Sequence, residues 1–175
     1  MIRSSKSIAL LAGILALGAA SQSPAQEQPE TRATHGAWKV ICIKGTERCA
    51  MEQVAKSAQG DDALLMRINK VDAKAQDGTQ IPASAEIIVP LGVILPAGLR
   101  VQVDAGKTRA TGFQMCLQVG CLSQDVISQE FLSDLKKGST AKMTLVLPRE
   151  GEVSVNISLS GFTKAFNTLK VQQVN

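Results

Sequence analysis

Tyrosine is absent from this 175-residue chain, tryptophan and histidine occur once each, and aromatic residues make up only 3%. With so little aromatic area, a core has to be built from Val, Ile, Leu and Met. The single His35 falls in a Gln-, Glu-, Pro-, Thr- and Arg-rich stretch, residues 26–36, which reads as a flexible leader with almost nothing to bury. A Ser–His–Asp arrangement would then lack a positioned base, which excludes that route to hydrolysis. Beyond the N-terminus no apolar run approaches the roughly 20 residues that a membrane-spanning helix needs. An excess of charge of one sign is lacking as well, with 19 basic against 15 acidic residues. A formal net charge of +4 is too small for the basic patch of a nucleic-acid reader. No period of about 20–50 residues repeats, so an array of repeats is excluded.

What the N-terminus does contain is a three-part export pattern. Arg3 and Lys6 precede an uncharged apolar run from Ile8 to Ala20, and Ser23 and Ala25 offer small residues to a signal peptidase. The run of about 13 residues is short for a membrane anchor. We expect a signal peptide over 1–25, cut after Ala25, with Ala20 as the other candidate. The mature chain would carry +2, having lost Arg3 and Lys6. It would be periplasmic or secreted, with a single domain over 37–175.

All four cysteines, Cys42, Cys49, Cys116 and Cys121, lie in the exported part. An even count in an oxidising compartment favours two disulfides. A redox pair would prefer Cys-x-x-Cys at a helix start, and a zinc site would prefer short knuckles in reduced surroundings. Four cysteines allow three connectivities. Closing a loop of about 8 residues stabilises by about 2.5 kcal/mol and a loop of about 80 by nearer 4.5, so chain entropy does not select the local pairing. Hairpin proximity does, and it favours 42–49 with 116–121.

Alternation of apolar and polar residues predicts about eight short strands. Trp38, Val40 and Cys42 share one strand face, and Cys49–Val54 returns as a hairpin. Leu64, Met66 and Ile68 mark a third strand, and residues 72–85 read as a polar loop. Glu86–Leu91 carries Pro90, which suits an edge or a strand end. Leu99, Val101 and Val103 alternate cleanly, and Phe113, Met115 and Leu117 share one face of another strand, with Gln114, Cys116 and Gln118 on the other. Ile127, Phe131 and Leu135, capped by Ser123 or Ser128, predict a helix over 124–137. Two more strands follow, with Met143, Leu145, Leu147 and Val153, Val155, Ile157, and then a short helix marked by Phe162, Phe166 and Leu169. The fold class is all-β: an antiparallel two-sheet sandwich with one or two short helices, a closed barrel being the alternative. Trp38 is expected in the core.

Other candidate motifs reduce to simpler readings. Ser139-Thr-Ala-Lys142 matches Ser-x-x-Lys, but it spans a turn and a strand start without companion motifs. Asp61-Asp62 and Asp125, Glu130 and Asp134 follow no metal-loop spacing and read as solvated faces. The methionines are expected in the core.

Four landmarks together resemble the invasion-associated locus B (IalB) family of exported bacterial proteins. They are Trp38-Lys-Val-Ile-Cys42 with Cys49-Ala-Met-Glu-Gln53; Leu91-Gly-Val-Ile-Leu-Pro-Ala-Gly98 with Val101-Gln-Val-Asp104; Phe113-x-x-Cys116-x-x-x-Gly120-Cys121; and Ser158-Leu-Ser-Gly-Phe162. They cover residues 36–170, with Gly92, Pro96, Gly98, Gly120 and Gly161 among their fixed points. The resemblance implies an immunoglobulin-like sandwich, periplasmic or secreted, and in some blood-borne pathogens a link to entry into erythrocytes. It brings no catalytic residue set, so no catalytic, cofactor-binding or metal-binding residue is expected. The expected partner is an envelope or host-surface protein, met through exposed strands or loops such as 72–85. The alternatives are a periplasmic thiol–disulfide protein using Cys116 and Cys121, or a small-ligand carrier with a cavity between the sheets.

Overall fold

The computed structural model describes residues 28–172, so the expected signal peptide lies outside the described residues. In chain order the elements are β1 Pro29–His35, β2 Trp38–Ile43, β3 Cys49–Lys56, β4 Asp62–Lys74, β5 Gln80–Val89, a 3-10 turn Leu95–Ala97, β6 Leu99–Val103, β7 Thr108–Thr111, β8 Met115–Leu117, β9 Gly120–Ile127, α1 Gln129–Lys137, β10 Thr140–Leu147, β11 Gly151–Ser158 and α2 Phe162–Thr168. Every strand pairing is antiparallel. One sheet has seven strands, in the order β1-β2-β3-β4-β5-β9-β8, and the other has four, β11-β10-β6-β7. The all-β sandwich of the immunoglobulin-like class is therefore the observed architecture, and a closed barrel is not.

Strict alternation builds it. In β3 the residues from Cys49 to Lys56 alternate between core and outside, and β5 does the same from Ala83 to Val89. Their inward side chains meet those of Leu99, Val101, Met143 and Ile157 from the smaller sheet in one continuous core. Trp38 and Phe162 are fully buried and meet edge to face, with ring centroids 5.2 Å apart. This contact lets α2 close the sandwich beside β1 and β2, where aliphatic side chains alone would leave gaps.

Several expectations need correction. The stretch 26–36 is not a flexible leader over its length, because Pro29–His35 is an edge strand paired with β2 from Pro29↔Ile43 to His35↔Trp38. Its polar composition is that of an outermost strand with little inward area. Backbone pairing and a close turn hold it instead. Gly36 and Gly161 both adopt positive φ, and a Cβ on Gly161 would stand 2.0 Å from the His35 carbonyl oxygen. Only glycine permits that approach. His35 is thereby fixed in place, and its Nε2 is shielded without a hydrogen-bond partner.

Residues 72–85 are mostly strand. β4 runs on to Lys74 and β5 starts at Gln80, leaving a short turn at 75–79. Pro82 hid the strand, but it sits where the β4–β5 register shifts between Lys70 and Ala73, so the ladder needs no N–H from it. β5 is an interior strand, and Pro90 follows its end. The helix begins at Gln129 with Ser128 as its cap, its hydroxyl accepting from Phe131 N–H at 3.2 Å; residues 124–127 belong to β9. Ile127 fitted the helical period because a strand's last inward residue falls four before Phe131. Met115 and Leu117 are not core residues: β8 is the exposed edge of the large sheet, while Met51, Met66 and Met143 are buried as expected.

Candidate functional site

Two disulfides are present, Cys42–Cys49 across β2–β3 and Cys116–Cys121 across β8–β9. Each joins residues directly opposite in the ladder. Ile43 N–H donates to the Arg48 carbonyl at 3.0 Å, making Cys42↔Cys49 the neighbouring non-hydrogen-bonded pair, where Cα atoms come closest. Both of its cysteines are buried. The second bridge differs, since Cys121 is buried but Cys116 lies on the exposed strand.

Side chains hold the β8–β9 hairpin at both ends. At its tip Gly120 has φ 138°, and a Cβ there would meet the Val89 carbonyl oxygen at 2.4 Å. At its base the Gln114 carboxamide continues the ladder: its Nε2 donates to the Gln124 carbonyl at 3.2 Å, and its Oε1 accepts from Gln124 N–H at 2.6 Å. Ser123, fully buried, donates to the Gly112 carbonyl at 2.9 Å. A short strand with no inward area is thus kept rigid by a staple, a glycine contact and amide mimicry. What it presents is apolar: Met115 is 51% exposed, Leu117 56% and Val119 76%.

The outer face of the large sheet continues this surface. Val54, Leu65, Ile88, Leu122 and Met115 are consecutive ladder partners across β3, β4, β5, β9 and β8, forming one apolar row. A shallow concavity of ≈ 390 Å³ lies along it, lined by Val54, Leu65, Ile88, Pro90 and Val119 among others. The row beside it is charged. Arg67 donates through Nε and Nη2 to Oε2 of Glu52, at 3.2 and 2.9 Å, and its Nη1 lies 3.9 Å from Glu86.

The remaining landmarks are structural. Gly92, Pro96 and Gly98 shape the crossover from β5 to β6, where Ile94 N–H reaches the Val146 carbonyl at 2.9 Å. Trp38 Nε1 donates to the Ser158 carbonyl at 2.9 Å. The carboxamide of Gln53 bonds the same residue on both sides of its Cα, accepting from Ser158 N–H and donating to the Ser158 carbonyl. One residue of the small sheet is therefore clamped by two side chains of the large one. Gln53 was missed as a tie between the sheets, although a Gln at an inward position of a strand is the signal.

No group of three or more His, Cys, Asp or Glu side chains that could hold a metal occurs among the described residues. Ser139 and Lys142 lie on the approach to and start of β10, as their strand reading implied. Asp125 departs from the solvated reading. Burial raises its carboxyl above the usual carboxylate range, against the opposing effects of Val126 N–H, 2.8 Å away, and of Arg109. Arg109 itself lies over the Phe131 ring at 4.7 Å. Glu130 and Asp134 are exposed.

The fold and surface define a disulfide-stapled antiparallel β-sandwich that offers a rigid apolar face. The chain belongs to the invasion associated locus B (IalB) protein family, whose sequence model matches residues 38–170. It is 26% identical over 142 residues to invasion protein B of Bartonella bacilliformis, covering 78% of this chain and 73% of that protein. It is 28% identical over 141 residues to an invasion protein B homolog of Brucella abortus, covering 78% of each. Among solved structures it is similar to invasion associated protein B from Bartonella henselae, with 26% identity, a TM-score of 0.62, and coverage of 80% of this chain and 94% of that one.

Proposed function

We propose that this chain is an exported, non-enzymatic protein that acts in the bacterial envelope or outside the cell through protein or surface contacts, a role that would extend to host-cell invasion, in keeping with relatives named as invasion proteins. The observation that carries the reading is the family match across nearly the whole sandwich, with relatives named as invasion proteins. The stapled hairpin supports it, since rigid apolar side chains on a surface lower the ordering cost of binding. No helix among the described residues is long and apolar enough to cross a membrane.

N-terminal sequencing of the protein recovered from periplasm and medium is expected to start at Gln26, with all four cysteines oxidised. Recovery only as an unprocessed, reduced cytoplasmic chain would reject export. Proximity labelling in intact cells should mark an envelope or surface protein whose labelling falls with Val119→Asp. Identical labelling profiles for parent and variant would reject the hairpin as the contact.

One observation favours thiol–disulfide exchange as a second reading: Cys116 is on an exposed edge. Against it, neither cysteine stands at the start of a helix, the placement that lowers a thiol pKa, since both lie in strands and α1 starts only at Gln129. A strongly reducing potential for the 116–121 couple would remove this reading, and a value near that of the envelope's exchange enzymes would support it. The carrier reading finds no support between the sheets, where Met51, Met66, Leu99, Met143 and Phe162 fill the space.

A further inference from the structure

The apolar row and the charged row run side by side across the centre of the large sheet, and together they have a symmetry that an arbitrary partner would not require. We propose that this outer face is a self-association surface whose occupant is a second copy of this chain, packed across a two-fold axis that runs parallel to the strands between β4 and β5. This goes beyond the export reading and stands without it.

A two-fold axis in that position exchanges β4 with β5 and β3 with β9. Leu65 then faces Ile88 of the second copy, and Val54 faces its Leu122, so apolar meets apolar along the row. In the neighbouring row Arg67 faces Glu86 of the second copy, Glu86 faces its Arg67, and Glu52 faces its Gln124. All of these positions follow from the observed register. An axis through β5 would instead set Glu86 against Glu86, and one through β4 would set Arg67 against Arg67. Like charges brought together at a drying interface are unfavourable, so the charge row selects the β4–β5 axis. Face-to-face sheets cross at about 30°, which keeps the two central strands in contact and splays the outer ones.

The charged row also argues against a lipid surface as the occupant. Acyl chains would desolvate the Arg67–Glu52 and Arg67–Glu86 pairs with nothing in return, whereas a second copy sets a further opposite charge against Arg67 and Glu86 and a Gln124 amide against Glu52. Strands about 4.8 Å apart carry the row over roughly 20 Å, so with the charged row each copy contributes on the order of 500 Å². A total of about 1,000 Å² is the low end for specific association, so the dimer is expected to be weak and reversible.

The test is sedimentation equilibrium of the oxidised, signal-processed protein from about 1 to 500 µM, the range in which a weak dimer shows. A concentration-dependent monomer–dimer equilibrium is expected. Arg67→Glu and Glu86→Arg should each weaken it about tenfold or more, and the double exchange should restore it to within about twofold, since the facing pairs are reciprocal. Ile88→Lys should give a monomer whose circular dichroism melt matches the parent's; if that variant fails to fold, Leu65→Gln and the charge exchange carry the test. A monomer at every concentration would overturn the proposal, as would a dimer indifferent to all of these changes. A monomer that binds phosphatidylethanolamine–phosphatidylglycerol vesicles, and loses that binding with Ile88→Lys, would overturn it in favour of a lipid surface.

Discussion

Two residues carry more of this structure than their type suggests. Gln53 is an inward-facing amide that replaces apolar packing with two hydrogen bonds, of 2.8 and 2.9 Å, to the backbone of one residue, Ser158, in the opposite sheet. Removing it strands a buried N–H, so Gln53→Ala should cost about 1–3 kcal/mol in urea unfolding. Gln53→Met keeps most of the volume. If Met restores parental stability, the tie is packing rather than hydrogen bonding. Asp125 makes the opposite kind of contribution, because its folded pKa lies above its unfolded one. A group of that kind stabilises most below the unfolded value, near ~3.9, and that contribution is lost as pH rises through the folded value. Asp125→Asn, which keeps the acceptor for Val126 N–H, should therefore raise the urea midpoint at pH 7, with the gain shrinking on acidification. A gain that grows toward acid would contradict the assigned cause.

At the level of elements, the two stapled hairpins should behave differently. Cys42 and Cys49 are buried, whereas Cys116 sits on the exposed β8. Thiol exchange needs access to a sulfur, so graded reduction followed by alkylation mapping should open 116–121 before 42–49. Simultaneous opening would mean that reduction proceeds through global unfolding. Replacing Cys42 and Cys49 together by Ala should cost roughly 2–5 kcal/mol and impair folding. Unchanged thermal unfolding would remove the structural role. These elements also show what sequence can and cannot reveal. Trp38–Cys42, Cys49–Val54, Leu99–Val103 and the last two strands were legible because one face of each is buried and alternation records it. β1 and β8 were not, since edge strands are held by backbone pairing and by contacts such as Gly161 with His35, which leave no apolar period. The β4–β5 ribbon was hidden by a proline that the register shift makes harmless. Helix α1 was placed early because strand and helix periods coincide between Ile127 and Phe131. Of the candidate surface, the cysteines could be read directly, but the exposure of Met115 and Leu117 could not. The row from Val54 to Met115 could not, because it exists only once five strands are in register.

For the whole molecule, the sandwich is asymmetric in how well its strands are defended. β4 and β5 are covered on both sides by neighbours and backed by the core, while β8 has one partner and no buried side chain. Hydrogen exchange should therefore be slowest in β4, β5 and the inner β10, and fastest among strands in β8. Protection of β8 equal to that of β4 at concentrations well below dimerisation would contradict this ranking. The same asymmetry places the least-defended strand beside the apolar row, where the Cys116–Cys121 bridge adds a covalent tie to the Gly120 and Gln114 contacts. Each bridge, moreover, joins cysteines that are consecutive in the chain, seven and five residues apart. A chain threaded N-terminus first into an oxidising space would present Cys42 and then Cys49 long before Cys116 emerged. On that route the native pairs would be the first pairs on offer, and oxidation in order of arrival would yield the correct bridges with no mistake for a disulfide isomerase to undo.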